Sequence, residues 1–307
     1  MGGSGGSTYT RSWSEPEQKK IDQAREKERI RLDKNINDIL NDILVKFNNR
    51  DIDWTNDKLD DLLDILGESN EIEKILLGGS VAKHTHVNGI SDVDALIILD
   101  KSEYKTKSPK ELIDMFRRDL KIKLDSSDVE DVLKGKLAVT IQYKDDKGEI
   151  QLLPALRSGK KILIPSSDSK SWNEINPAIF QQALSKANKK TDFNLIPTIK
   201  LFKSINDGLP KQKQLTGYHI EALAIHSVKN YTGPNTPKSL LINLIEYSSE
   251  KVLNTIKDTT GQSSKVDAYL GRSNSVERKY ISQILTSIGR RLVTATNVSQ
   301  WRTLFED

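Results

Sequence analysis

Ala95-Leu96-Ile97-Ile98-Leu99 is the longest purely apolar run in this chain, and it follows directly on Asp92-Val93-Asp94. Five residues cannot cross a bilayer, which takes about 20, and the run has the length of a short buried strand. Side chains alternate along a strand, so aspartates at i and i+2 face the same way, about 7 Å apart. Two carboxylates held so against an apolar strand repel each other unless a divalent cation lies between them. Hard oxygen donors of this kind suit Mg²⁺ or Mn²⁺. Gly78-Gly79-Ser80 stands twelve residues upstream of Asp92. A turn so poor in side chains lets backbone N–H groups approach a phosphate, with the serine hydroxyl as a further donor.

The surrounding pattern divides the chain into lobes. Residues 1–13, opening MGGSGGS, lack the basic-then-apolar order of a signal peptide and read as a flexible Gly/Ser tail that takes no part in the fold. Residues 15–49 carry apolar side chains near helical spacing (Ile36, Ile39, Leu40, Ile43, Leu44, Phe47) and predict one long amphipathic helix. Asp53-Trp54-Thr55-Asn56 reads as a break, and 57–68 as a second helix. A helix over 109–124 then stands between the strand at 95–99 and a strand pair in KLAVTIQYKDDKGEIQLLPAL. Residues 14–165 form an α/β lobe that includes the N-terminal helix, which is free to brace both lobes. Residues 166–307 are helical in pattern throughout, with Pro197 either in a first turn or at a kink.

Composition narrows the partners. Lys+Arg 47 against Asp+Glu 43 gives a net charge of +4. That balance suits an anionic ligand and disfavours an extended DNA or RNA footprint, although a local basic patch stays open. The chain has no cysteine, which removes disulfides and thiolate metal sites and points to the cytoplasm. His84-x-His86 lacks further ligands of a zinc site. Nothing in the pattern points to a membrane or to more than a monomer.

Gly79-Ser80, a spacer, and Ser91-Asp92-Val93-Asp94 before an apolar strand resemble the signature of the polymerase-β-type nucleotidyltransferase superfamily. QLLPA (151–155), ILIP (162–165), Trp172, Asn176-Pro177, Asn188, KLFKSIND (200–207), LTGYHIEAL (215–223) and the terminal WRTLFED follow in order. That series resembles the bacterial cGAS-like nucleotidyltransferases and their oligoadenylate-synthase relatives over residues 30–307. The resemblance implies an α+β fold: a nucleotidyltransferase lobe with a mixed sheet, a C-terminal helical lobe closing the nucleotide cleft, and a bracing N-terminal helix. It implies joining of NTPs, ATP among them, into cyclic di- or trinucleotide second messengers of anti-phage signalling. Two Mg²⁺ (or Mn²⁺) ions carry the transfer and pyrophosphate leaves. A regulatory protein or RNA activator is a further implied partner.

Residue by residue, the resemblance makes Asp92 and Asp94 metal-binding catalytic carboxylates and Gly79-Ser80 the phosphate-gripping turn. Lys203 and Lys200 match lysines that meet the triphosphate, and Tyr218 matches an aromatic that stacks on a base. Lys83, just beyond the turn, is a further phosphate candidate. Gly217 stands where the family commonly has serine, so a hydroxyl contact there depends on Thr216. Gln151 is the larger departure, because the family places Asp or Glu three residues before Pro-Ala. An amide has the shape of glutamate without its charge and is a poor Mg²⁺ ligand. Three explanations stay open: an engineered Glu→Gln substitution, Glu149 on the same strand face serving instead, or a natural nucleotide or RNA sensor without catalysis. Nucleotidyl transfer to another acceptor, such as tRNA, a protein or an antibiotic, is the rival activity.

Overall fold

In a computed structural model, the residues described are 14–48, 52–67, 72–77, 93–99, 104, 106–124, 128–135, 138–144, 149–159, 161–166, 170–257 and 265–305. Two helices open the chain, α1 (Glu15–Asn48) and α2 (Ile52–Gly67). The α/β lobe then runs β1 (Ile72–Leu77), β2 (Val93–Leu99), α3 (Pro109–Lys123), β3 (Val129–Lys134), β4 (Val139–Tyr143), β5 (Glu149–Ser158), β6 (Lys161–Pro165) and β7 (Trp172–Ile175). The helical lobe is α4 (Pro177–Lys190), α5 (Leu195–Asp207), α6 (Gly217–Ser227), α7 (Pro237–Lys251), α8 (Val276–Thr294) and α9 (Val298–Arg302).

The described strands form one mixed seven-stranded sheet in the order β1-β2-β5-β4-β3, with β6 bridging β5 and β7. Only the β2–β5 pair is parallel. The connection from β2 to β5 passes through α3 and the β3–β4 hairpin, the kind of crossover a parallel pair requires. Ser108 starts α3 with a reciprocal capping box, its hydroxyl accepting from the Glu111 N–H while the Glu111 carboxylate accepts from the Ser108 N–H. Pro109 fits at the first helical position, where no N–H partner is needed. Leu112, Ile113, Phe116 and Leu120 recur at helical spacing and pack with Ala95, Ile97, Leu99, Ile141, Ile150 and Leu152. This covers one sheet face. On the opposite face Leu96 and Ala155 pack with Ile164 and Ile175.

Several elements depart from the sequence pattern. The expected break at 53–56 lies inside α2, whose backbone is helical from Ile52 to Gly67. The α/β lobe does not end at 165, because β7 pairs antiparallel with β6 and carries the sheet to Ile175. The α1 helix, grouped by pattern with the α/β lobe, buries Ile36, Leu40 and Leu44 in the core formed by the helical lobe. There Asn37 Oδ1 accepts the Lys238 N–H at 3.0 Å and Asp33 pairs with Lys238, which ties α1 to the start of α7. Pro197 is the third residue of α5 and takes a first-turn place rather than a kink.

Candidate active site

The parallel β2–β5 ladder sets Asp94 opposite Gln151, with Val93 opposite Ile150 and Ala95 opposite Leu152. On its other edge Gln151 pairs with Thr140 of β4. Residues paired across a pleated sheet share a face. Gln151 and Thr140 are half-buried, whereas Ile150, Leu152, Val139 and Ile141 beside them are fully buried. The alternation therefore puts Gln151 on the face turned away from α3. Glu149 pairs with Gln142, and among the described residues it has no partner on β2, which begins opposite Ile150. Leu77, the last described residue before Gly78-Gly79-Ser80, pairs with Ala95, one residue from Asp94. Asp92, Gly79, Ser80 and Lys83 lie outside the described residues.

A second cluster is built by α5 and α6. Lys200 and Lys203 sit three apart on α5, and both are buried. Lys203 Nζ donates to Glu221 Oε1 of α6 at 2.9 Å, with both side chains almost wholly buried. Burial, and then the neighbouring Lys203 charge, push the Lys200 ammonium pKa below its ordinary value. Gly217, the first residue of α6, lies against the same ammonium: a Cβ there would come within 3.4 Å of Lys203 Cε and Nζ. The absent side chain leaves that space to the lysine. Thr216 does not reach outward in place of a serine, because its hydroxyl accepts the His219 N–H and caps α6. Tyr218 is half-buried and packs its ring on Phe180 of α4, with centroids 4.7 Å apart and planes 37° apart.

Glu221 and Tyr269 touch this cluster, and the sequence pattern does not single them out. Glu221 had one visible signal, a carboxylate set directly between Ile220 and Ala222-Leu223-Ala224. A carboxylate in such a place is almost never buried without a partner. The Tyr269 hydroxyl accepts the Thr216 N–H at 3.0 Å and lies 3.0 Å from His219 Nδ1. No local signal marks a tyrosine fifty or more residues from the two residues that it touches.

A parallel pair bearing Asp94 and Gln151, inside a mixed sheet followed by a helical lobe, defines a nucleotidyltransferase fold. The family model described as the Second Messenger Oligonucleotide or Dinucleotide Synthetase domain matches residues 31–188. The chain belongs to this family of nucleotidyltransferases, which form cyclic-oligonucleotide messengers. Solved structures share the fold at low identity. The CD-NTase CdnG of Bradyrhizobium diazoefficiens, in complex with GTP, superposes with a TM-score of 0.68 at 11% identity, over 88% of this chain and 95% of that one. CdnC of E. coli MS115-1 with ATP gives 0.65 at 15%, over 82% and 88%. DncV of Vibrio cholerae, with ATP and GTP, gives 0.60 at 11%, over 95% and 90%. No curated protein matches significantly in sequence. No described helix is long and apolar enough to cross a membrane.

Proposed function

We propose that this chain binds a magnesium–nucleoside triphosphate beside Asp94 and Gln151 of the β2–β5 pair and turns it over slowly or not at all, its parent activity being synthesis of a cyclic di- or trinucleotide messenger in anti-phage signalling. The observation that carries this reading is the register of Asp94 on Gln151. It sets an amide beside an aspartate where the two-metal chemistry of the resemblance calls for a third carboxylate. Asp92 and Asp94 would hold an ion on the triphosphate, and a divalent cation bound there neutralises phosphate charge. The donor set fits one ion better than two: an uncharged Gln151 oxygen supplies neither the charge to hold a second ion nor a base for the acceptor hydroxyl.

The remaining residues act on the nucleotide alone. Lys203 and Lys200 would meet triphosphate oxygens as point charges, with Glu221 fixing the Lys203 ammonium in direction. Tyr218 would present its ring to a base, a contact tolerant of base identity. Gly79, Ser80 and Lys83 complete the proposed phosphate grip. Support for ATP or GTP as ligand comes from the CdnC and CdnG structures, which hold ATP and GTP respectively. A CdnC structure in complex with HORMA-deltaN (TM-score 0.63) motivates a regulatory protein partner here.

The test is incubation with Mg²⁺ or Mn²⁺ and labelled NTPs, with products resolved by chromatography. The expected result is nucleotide binding with little product, and oligonucleotide synthesis on restoring the carboxylate with Gln151→Glu. Robust synthesis by the unaltered chain would sink the impaired-site reading and promote Glu149. Binding without product even after Gln151→Glu would favour a sensor, the second reading that Gln151 itself supports. Labelled tRNA or protein would reveal transfer to another acceptor.

A further inference from the structure

The first turn of α6 carries Gly217, against the Lys203 ammonium, and Tyr218, and one hydroxyl from a distant segment holds both ends of that turn. The Tyr269 hydroxyl accepts the backbone N–H of Thr216 at 3.0 Å, and it lies 3.0 Å from His219 Nδ1. The two rings meet edge-on, with centroids 5.9 Å apart at 82°. Thr216 and His219 bracket Gly217 and Tyr218 in sequence. Tyr269 therefore contacts the residue before and the residue after the pair that faces Lys203 and the proposed base position.

The segment bearing Tyr269 is itself fixed. Tyr269 is the middle residue of the short 3₁₀ turn Ala268–Leu270. Asp267, immediately before it, pairs with Arg278 of α8 at 2.7 Å, with both side chains wholly buried. Arg278 also donates to the carbonyls of Val252, Asn254, Asp267 and Gly271. The Ile256 N–H donates to Asp267 Oδ1 at 3.1 Å. A turn tied by that many bonds is a rigid base. Tyr269 as a residue is 48% exposed, whereas burial of its hydroxyl pushes the phenol pKa up to about 12, so the hydroxyl is the end held inside. His219 is fully buried, and its Nε2 has no hydrogen-bond partner among the described residues. The bond to Tyr269 is thus the one that orients the imidazole.

We infer that Tyr269 is a positioning residue for the nucleotide cleft: through Thr216 and His219 it fixes the first turn of α6, so that Gly217 leaves room for Lys203 and Tyr218 keeps its place for the base. This rests on the nucleotide-binding reading above. Tyr269 touches no substrate in this scheme and acts only through the turn it holds.

The experiment compares the full chain with Tyr269→Phe, which keeps the half-exposed ring and removes only the hydroxyl. Three quantities are measured: amide hydrogen exchange across residues 216–219, affinity for Mg-ATP, and thermal midpoint. The expected result is exchange at Thr216 at least tenfold faster, Mg-ATP affinity about fivefold weaker, and a midpoint little changed. Fivefold is what one neutral hydrogen bond is worth. Unchanged exchange overturns the clamp whatever the nucleotide data show. Faster exchange with wild-type affinity overturns the positioning role. If the unaltered chain itself binds no nucleotide, the functional reading and this role fall together, and the exchange arm still reports on the clamp. His219→Gln, a variant that keeps a polar side chain, supports the same role if its exchange and affinity shift in parallel with Tyr269→Phe, and overturns it if they do not.

Discussion

Lys203 Nζ and Glu221 Oε1 stand 2.9 Å apart with their side chains almost completely out of water, joining α5 to α6 across the helical core. Breaking such a pair on one side leaves a buried charge. Glu221→Gln is therefore expected to destabilise by about 3–5 kcal/mol, read as a lower urea midpoint. The double change Lys203→Met with Glu221→Leu removes both charges and is expected to recover most of that loss. It should also abolish Mg-ATP binding. Recovery of stability together with full nucleotide affinity would rule Lys203 out as a phosphate contact.

Gly217 offers a gentler probe of the same ammonium. A methyl group there would lie 3.4 Å from Lys203 Cε and Nζ, a contact that the far end of a lysine can relieve by moving slightly. Gly217→Ala is expected to leave stability unchanged or raise it by up to about 1 kcal/mol, from helix propensity. Mg-ATP affinity should fall several-fold as Lys203 shifts. Calorimetric unfolding and nucleotide titration on the same samples separate the two effects.

His219 gives the helical lobe an acid-side sensitivity. Burial pushes its pKa from 6.5 down to about 4, with Asp267 raising and Arg278 lowering it. The unfolded chain then binds a proton near pH 6.5 that the folded chain refuses until about pH 4. This contribution to stability is fully present above pH 6.5 and is lost as pH falls toward 4, up to about 3 kcal/mol at the low end. Urea midpoints from pH 4.5 to 7 should slope more steeply for the wild type than for His219→Gln. Parallel slopes would contradict the assignment.

Arg278 is a structural staple whose fork geometry matters. Its donors reach Asp267 and four backbone carbonyls. Lysine keeps the charge but cannot span those acceptors. Arg278→Lys is therefore expected to lower the thermal midpoint by roughly 10 °C, the scale of leaving several buried carbonyls without a donor. A drop of a degree or two would mean that the guanidinium bonds contribute little.

How much of this could be read without coordinates varies along the chain. Asp92-Val93-Asp94 before ALIIL gave β2 and a candidate site, because a run of apolar residues at a polar boundary is a local signal. The helix expected over 109–124 is α3, since its apolar residues recur at helical spacing, which is equally local. By contrast, β3 buries a single residue, Val132, and exposes or half-exposes the other five. The four-residue strand β7 buries only Ile175. Neither alternates cleanly, and each exists because a neighbouring strand offers it hydrogen bonds. The α1 helix was legible as a helix, but its partner was not, since Ile36, Leu40 and Leu44 would suit either lobe.

Local signals in the chain carry most of the helices, the strand behind the two aspartates and the chemical inventory, with its amide before Pro154 and its lysines three apart. These follow from short-range rules of periodicity, capping and charge. Folding alone sets Gln151 opposite Asp94, brings Lys203 to Glu221, and puts Tyr269 on the first turn of α6. Each of these joins residues that are remote in sequence. Strand register and helix packing are set by the burial of the whole chain, and no local pattern encodes them.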